Sequence, residues 1–301
     1  MAARRGVYAN FAGWCDAPEP MRRPALIGAA VLGAIVALGV VLFVARRERA
    51  DPARCPDGLA AQGFRCCAPG QTLAQGACSG TPASCPSGFE TTSRGCVAQA
   101  RRVLIAGGTL TLSPNDWEAE GVVARTLTVA AFELDTTEVT HARWSSCAGC
   151  RKLDHSEPGL PVTGVSADEA EKLCLAAGGR LPSADEWLFA ATSASVRRYP
   201  WGQTGLVCRR ASFGLVEGPC AIGADRPELA GARPDGRSPE GVLDLSGNVA
   251  EWAREPDGSA RARGGSFRSR VAGELKSWAA ESAAGPAAHI GFRCAYPSGP
   301  H

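Results

Sequence analysis

The chain has 301 residues, which is more than one small domain needs and suits two modules with an accessory segment. Its 32 basic and 30 acidic residues give a net charge of +2, so the composition indicates no nucleic-acid partner. Only four histidines are present, and their scatter argues against a histidine-rich metal enzyme. With 45% hydrophobic residues, 36 Gly and 21 Pro, the chain should build a core with many loops.

The N-terminal part contains one long uncharged run, Ala25 to Ala45, with arginines on both sides. As a helix it would be about 31 Å long, enough to cross the hydrocarbon core of a bilayer. A cleaved signal peptide is the alternative, but the run is longer than a usual signal core and ends in a poor cleavage site. We therefore predict a cytoplasmic leader over 1–23 and one transmembrane helix over 24–45.

Two further features bear on the assembly and the orientation of this helix. Ala29, Gly33 and Ala37 are spaced four apart, so two copies could approach closely and form a homodimer. Of the 13 cysteines, only Cys15 precedes the helix and twelve follow it. An even number on one side suits an oxidising compartment, so the prediction is a single-pass cell-membrane protein whose C-terminal part is periplasmic or extracellular.

The segment 51–100 carries six cysteines and a short internal repeat. The five residues CPDGL that begin at Cys55 recur as CPSGF at Cys85, and each copy is followed by another cysteine. So short a segment buries little apolar surface, so a disulfide-stapled stalk is favoured over a small binding module. Six cysteines allow fifteen pairings, and the sequence does not choose among them. Zinc is the weaker alternative, because the segment contains no histidine.

From 102 to 299 the patterns predict a mixed α+β domain. Residues 126–132 alternate in the manner of a strand. Two helices are predicted to begin at Ser166 and Ser183, because each serine is followed three residues later by a glutamate that completes a capping box. Over 192–240 the regular patterning fades, and long loops are expected.

Two further cysteine pairs lie in this domain. Cys147 and Cys150 form a C-x-x-C at the end of a short predicted helix. Redox pairs of this spacing need the first cysteine at a helix N-terminus, where the thiol pKa falls, so a local disulfide is predicted instead. Cys208 and Cys220 bracket a short loop and are predicted to pair with each other.

Six short motifs, in a fixed order, resemble those of one protein family. They are FELDTTEVT at 132–140, GRLPSADEW at 179–187, YPWG at 199–202, DLSGNVAEW at 244–252, RGGSF at 263–267 and GFRCA at 291–295. The family is the sulfatase-modifying factor, or formylglycine-generating enzyme, domain. The resemblance implies a compact, loop-rich fold related to C-type-lectin-like domains, and a structural disulfide between Cys174 and Cys294.

The resemblance also implies a copper site that this sequence lacks. In active members, two cysteines after the RGGS motif bind copper(I), and oxygen is used to oxidise a substrate cysteine in a C-x-P-x-R sequence to formylglycine. Ser269 and Glu274 stand at the matching positions, and no cysteine lies between Cys220 and Cys294. Neither serine nor glutamate is a soft ligand, so copper is not expected.

A groove around these positions is predicted to persist without its metal. Ser266 and Trp252 match pocket residues of the family and join Ser269 and Glu274 as candidate groove residues. We therefore predict a pseudoenzyme that binds an unknown protein or glycan ligand. The alternative is an oxidoreductase that acts on a protein or peptide through a non-cysteine site, with Glu274 or Ser266 as candidate catalytic residues. A structural envelope protein is a third possibility.

Calcium is the one cofactor that the resemblance still implies for this sequence. In the family the GNVxEW loop binds calcium through main-chain carbonyls and one carboxylate, which are here the carbonyls of Ser246, Gly247 and Val249 and the side chain of Glu251. Oxygen ligands from a turn suit this hard cation. An ion pair between Glu251 and one of the many arginines is an equally supported alternative.

Overall fold

The computed structural model describes residues 55, 58–63, 65–93, 95–113, 122–154, 157–205, 207–214, 225–283 and 285–299. All of them lie in one compact unit, Ala53–His301. The predicted leader 1–23 and the predicted helix 24–45, with its homodimer contact, lie outside the described residues.

The prediction of a membrane span is corrected by this structure. Among the described residues, no helix is long and apolar enough to cross a bilayer. The longest has 10 residues, whereas a span needs about twenty. A transmembrane helix and a single-pass membrane location are therefore not supported. An uncharged run meets a hydropathy criterion whatever structure it adopts, so composition alone could not establish the span.

Three β-hairpins, each closed by one disulfide, form the cysteine-rich segment. The pairs are β1 (Ala60–Gln62) with β2 (Arg65–Cys67), β3 (Thr72–Ala74) with β4 (Ala77–Ser79), and β5 (Phe89–Thr92) with β6 (Gly95–Ala98). The disulfides are Cys55–Cys66, Cys67–Cys78 and Cys85–Cys96, each with a sequence separation of 11. These crosslinks compensate for the small core that so few residues can build.

The equal spacing of these bonds shows that the repeat has three copies rather than two. The copy that sequence analysis missed begins at Cys67 as CAPG, with its proline one position later than in the other copies. Its glycine, Gly70, has a φ of 87°, close to the 86° of Gly58 and the 90° of Gly88. Glycine adopts a positive φ at little cost, so the same backbone turn opens all three hairpins.

Two sheets and one hairpin form the centre of the remaining chain. In the first sheet, β10 (Phe132–Asp135) lies between β7 (Arg102–Ile105) and β15 (Ala295–Pro297) and is antiparallel to both. The second sheet has the order β13 (Ala280–Glu281), β12 (Ala260–Arg263), β11 (Ala250–Arg254), β14 (Ile290–Gly291), and its β11 and β14 are parallel. The hairpin pairs β8 (Gly108–Leu112) with β9 (Arg125–Val129). The C-terminal residues thus supply one strand to each sheet.

Four α-helices occur in the described part of the chain. They are α1 (His141–Ser145), α2 (Ala167–Ala176), α3 (Ala184–Thr192) and α4 (Val207–Arg210), with 3-10 turns at Pro234–Gly236 and Ala272–Leu275. Both predicted capping boxes are present: Ser166 and Ser183 each accept a hydrogen bond from the backbone of the glutamate three residues later, whose side chain accepts from the serine N–H. These helices begin where the sequence predicts.

The predicted α+β class also needs correction, because the structure is mostly sheet with few helices. The described residues form fifteen strands of two to five residues, whereas only two of their α-helices exceed five residues. A strand of two to four residues is too short to show an alternating pattern, whereas a capped helix of nine or ten residues carries both a start signal and a periodic face.

Three hydrophobic clusters lie between these elements in the described residues, and two of them are large. The first is built around Trp187 of α3 and includes Leu134 and Leu245. The second surrounds Trp252 of β11 and contains the disulfide that joins Cys174 of α2 to Cys294. The motif 244–252 contributes to both clusters, so its loop is fixed from two sides.

Candidate functional site

The GNVAEW and RGGSF motifs lie against each other, and their glycines permit the contact. Gly247 N donates to Gly264 O at 2.9 Å. A Cβ atom on Gly264 would lie 2.8 Å from Leu245 O, and one on Gly247 would lie 2.4 Å from Ser212 O. A side chain at either position would collide with backbone that is itself held in place, so close packing of the two loops requires glycine.

Ser266, Ser269 and Glu274 come together in the turn after RGGS. The Ser269 hydroxyl accepts from Ser266 N at 3.0 Å, and Ser269 N donates to Ser266 O at 2.9 Å. Glu274 Oε2 accepts from Arg270 N at 2.9 Å. Ser269 is buried and Glu274 is exposed. The two residues at the copper positions therefore hold the backbone of their own loop.

The described residues offer no thiolate near this turn. Every cysteine among them is disulfide-bonded, including Cys208, whose predicted partner Cys220 lies outside the described residues. Cys147 and Cys150 are bonded to each other just after α1, so neither sulfur is a thiolate that could bind a metal. Copper(I) prefers soft sulfur ligands, so the residues present at the family's copper position do not fit this ion.

Both oxygens of the Glu251 carboxylate accept hydrogen bonds from protein donors. Arg293 donates from Nε to Oε2 at 2.7 Å and from Nη2 to Oε1 at 2.6 Å, and Trp187 Nε1 donates to Oε2 at 2.7 Å. All three side chains are buried. Burial works against the charged guanidinium, but the Glu251 carboxylate outweighs it and raises the pKa of Arg293.

Of the expected calcium ligands, the Glu251 side chain is already paired inside the protein. The negative charge that would attract the cation is already balanced by the buried Arg293. This ion pair is the alternative that the sequence left open for Glu251. Ser246 lies in the predicted loop, and its hydroxyl donates to Leu275 O at 2.6 Å. Gly247 and Val249 belong to the same turn, which packs against the RGGSF loop. Calcium binding through the three carbonyls stays a prediction.

A second acidic cluster, which sequence analysis did not single out, lies beside this turn. Asn248 Nδ2 donates to Glu138 Oε1 at 3.0 Å, while Glu138 Oε2 is buried without a hydrogen-bond partner in the structure as described. Burial and the neighbouring Asp244 raise the pKa of Glu138 well above its ordinary value, and burial raises the pKa of Asp244 to about 6. Their positions in the motifs 132–140 and 244–252 are the sequence signal that could have identified these two acids.

Trp252 lies beside α2, at a cavity of its own. Its Nε1 donates to Val165 O at 3.0 Å, and its ring is buried. It lines a small cavity of about 200 Å³ together with Ser166, Asp168 and Arg254, whereas Ser266 is not among the lining residues. A groove that includes both Trp252 and Ser266 stays a prediction.

A larger cavity, of about 1030 Å³, lies between the hairpins and the segment 225–234. Below it, the carboxylate of Glu228 accepts two hydrogen bonds from Arg65, at 2.9 and 3.2 Å, and two from Arg233, at 2.9 and 3.0 Å. Glu228 N also donates to the Asn248 side chain at 2.8 Å. The cysteine-rich segment is thus tied through Glu228 to the GNVAEW loop.

Comparison with protein families decides the identity of the scaffold. The Sulfatase-modifying factor enzyme 1-like domain matches residues 89–297. The chain belongs to the sulfatase-modifying-factor family. The family predicted from the six motifs is therefore confirmed. The match begins at Phe89 in the third hairpin, so the first two hairpins precede the matched region.

The sulfatase-modifying-factor chain is similar to two kinds of curated enzyme. It is 36% identical to a hercynine oxygenase from Mycolicibacterium thermoresistibile over 120 residues, which are 38% of this chain and 25% of that protein. It is 32% identical to a formylglycine-generating enzyme from Streptomyces coelicolor over 192 residues, which are 52% of this chain and 59% of that enzyme. The chain thus spans from a quarter to about three-fifths of these relatives.

Solved structures show the same fold at low sequence identity. Treponema denticola variable protein 1 has a TM-score of 0.52 at 17% identity, with 71% of this chain and 100% of that chain covered. PvdO from Pseudomonas aeruginosa has a TM-score of 0.53 at 17% identity, with 65% and 94% covered. This likeness establishes the fold of the scaffold and nothing about its ligand.

Proposed function

We propose that this chain is a binding module built on the sulfatase-modifying-factor scaffold and that it does not form formylglycine. One observation carries the proposal: Ser269 and Glu274 replace the cysteine pair, and their side-chain oxygens accept hydrogen bonds from the backbone of their own loop. Copper(I) needs soft sulfur ligands, which this turn does not supply. A scaffold that keeps its loops but lacks the metal ligands is suited to recognition of a protein or glycan.

Copper binding and oxygen consumption test the proposal. The purified full-length protein is incubated with copper(I) in competition with a chromophoric chelator, and oxygen uptake is followed after addition of a C-x-P-x-R peptide. We expect neither stoichiometric copper nor peptide oxidation. Copper held at one equivalent in this turn, together with oxygen uptake by the wild-type protein, would refute the proposal.

A matched variant makes this negative result interpretable. Ser269→Cys combined with Glu274→Cys places two sulfurs at the family's copper positions, whereas Ser269→Ala combined with Glu274→Ala removes the same oxygens without adding sulfur. Under reducing conditions, only the cysteine variant is expected to compete with the chelator for copper(I). Equal copper uptake by both variants would show that the ion binds elsewhere.

The likeness to hercynine oxygenases favours one alternative, an oxidoreductase that uses a different site on this scaffold. Glu274 is its candidate residue, because the side chain is exposed at the turn and one oxygen already accepts a hydrogen bond. Glu274→Gln keeps that acceptor and removes the charge. Oxygen consumption on a panel of thiol compounds that falls in this variant would support the alternative, and an unchanged rate would remove Glu274 from it.

A further inference from the structure

We infer that the exposed loop 266–275 binds an acidic peptide segment of a partner protein through Arg268 and Arg270. The inference rests on the proposed binding function and specifies the ligand of the same site. The side chains of Ser269 and Glu274 accept hydrogen bonds from the backbone of this loop, so the inference concerns the other side chains that the loop presents to solvent.

The backbone of the loop directs both arginines outward. Ser269 N donates to Ser266 O, which closes a turn with Phe267 and Arg268 at its centre. Phe267 and Ser269 are buried, whereas Arg268 and Arg270 are exposed. Alternate residues therefore anchor the loop and face solvent, and the two guanidinium groups stand on either side of the buried Ser269.

The charges of these arginines are not neutralised within the described part of the chain. Neither Arg268 nor Arg270 makes an ion pair or a side-chain hydrogen bond there, and the nearest aromatic contact of Arg268 is its own neighbour Phe267, at 5.8 Å. Glu274, the one acidic residue of the loop, accepts from the Arg270 backbone rather than from a guanidinium. The loop therefore presents positive charge that an acidic ligand would complement.

A rigid aromatic base supports this loop. Tyr199 and Trp201 stack with ring centres 4.9 Å apart, and the Tyr199 hydroxyl donates to Ala272 O at 3.2 Å. The Arg210 guanidinium lies 5.8 Å from the Trp201 ring. Arg209 and Arg210 both contact the single carboxylate of Asp235, so this neighbouring group also carries excess positive charge. An ordered base reduces the entropy lost when a ligand binds.

The apolar content of the loop favours a peptide over a polyanionic glycan. Val271 follows Arg270 directly and is 56% exposed, so the loop presents an apolar side chain beside its arginines. Arginine and aromatic residues beside an exposed aliphatic side chain are the composition of protein-binding surfaces. A sulfated sugar would use the arginines but gain nothing from the valine.

Fluorescence anisotropy of a labelled peptide tests the inference. The probe is a short fluorescein-labelled peptide of glutamate and aspartate with interspersed leucines, titrated with the full-length protein at low salt. Arg268→Glu combined with Arg270→Glu is expected to raise Kd about tenfold or more, equivalent to about 1.4 kcal/mol. Arg101→Glu combined with Arg237→Glu, which changes the net charge equally at two exposed positions outside the loop, is expected to change Kd less than twofold. Thermal melts confirm that both variants fold.

Several outcomes would overturn the inference. Equal weakening by the two charge-reversed variants would indicate a nonspecific charge effect. Binding of a sulfated glycan, with no binding of the acidic peptide, would assign the loop to the other class of ligand. Unchanged peptide affinity in Val271→Ser would remove the apolar contact on which the choice of a peptide rests. Copper-dependent peptide oxidation is a separate readout, because it contradicts the proposed function whether or not the loop binds the peptide.

Discussion

At the residue scale, Arg293 explains how the core of this protein accommodates a buried charge. Its guanidinium donates to both oxygens of Glu251, and it also donates to Asp135 O at 3.0 Å and Leu243 O at 2.7 Å. One side chain thereby joins β10, the residue before the DLSGNVAEW motif, and β11. The GFRCA motif places an arginine near the C-terminus, but only the folded chain shows which carboxylate it meets.

Removal of this arginine is expected to be costly. Arg293→Met keeps an unbranched apolar stem but leaves Glu251 buried without its counter-charge, so the free energy of unfolding should fall by about 3–5 kcal/mol. Urea denaturation measures the loss. Arg254→Met is the control: its partners Asp168 and Glu171 have 82% and 23% of their side chains exposed, so solvent screens the pairing and the loss should be about 1 kcal/mol or less. Similar losses in the two variants would contradict the importance assigned to the buried pair.

At the element scale, the three hairpins show one turn used in three environments. Gly58, Gly70 and Gly88 share nearly the same φ, yet their surroundings differ. A Cβ on Gly70 would lie 3.1 Å from both Ala83 N and Thr81 O, whereas a Cβ on Gly88 would lie 3.8 Å or more from the Arg101 side chain. The repeat therefore fixes the backbone of the turn, and its neighbours decide how much space a side chain would have.

This difference predicts unequal effects of the same substitution. Gly70→Ala and Gly88→Ala should each lose about 1 kcal/mol from the left-handed backbone conformation, and Gly70→Ala should lose more because its neighbours are backbone atoms. Thermal unfolding of the two variants, compared with the wild-type protein, measures the order. If Gly88→Ala proved the more destabilising, the contact argument would be wrong.

At the scale of the whole molecule, the cysteine-rich segment packs on the domain that it precedes. Arg65 of the first hairpin and Arg233 of the segment 225–234 share the Glu228 carboxylate, and Ala98 N of the third hairpin donates to Ala230 O at 3.5 Å. Burial raises the pKa of Glu228, but the two arginines outweigh it and hold that pKa far below its usual range. A stapled segment with such contacts contributes to the stability of the domain.

Glu228→Gln should expose this contribution in the pH dependence of stability. Because the pKa of Glu228 is lower in the folded state, the ionised carboxylate stabilises the fold above the unfolded pKa of about 4.5, and this stabilisation is lost as the pH falls further. At pH 7 the variant should lose about 3 kcal/mol, and the difference from the wild-type protein should shrink on acidification. Urea denaturation at pH 7 and pH 3 measures both values; a difference that does not depend on pH would contradict the prediction.

The sequence by itself determined the family, both capped helices and the absence of a sulfur pair after RGGS, because these depend on residue identity at short, fixed spacings. It could not determine the third hairpin copy, the mostly β class or the pairing of Glu251 with Arg293. Those features depend on contacts between residues distant in the chain. A carboxylate in a motif has the same chemistry whether a cation or a guanidinium neutralises it, and only tertiary packing decides which one is within reach.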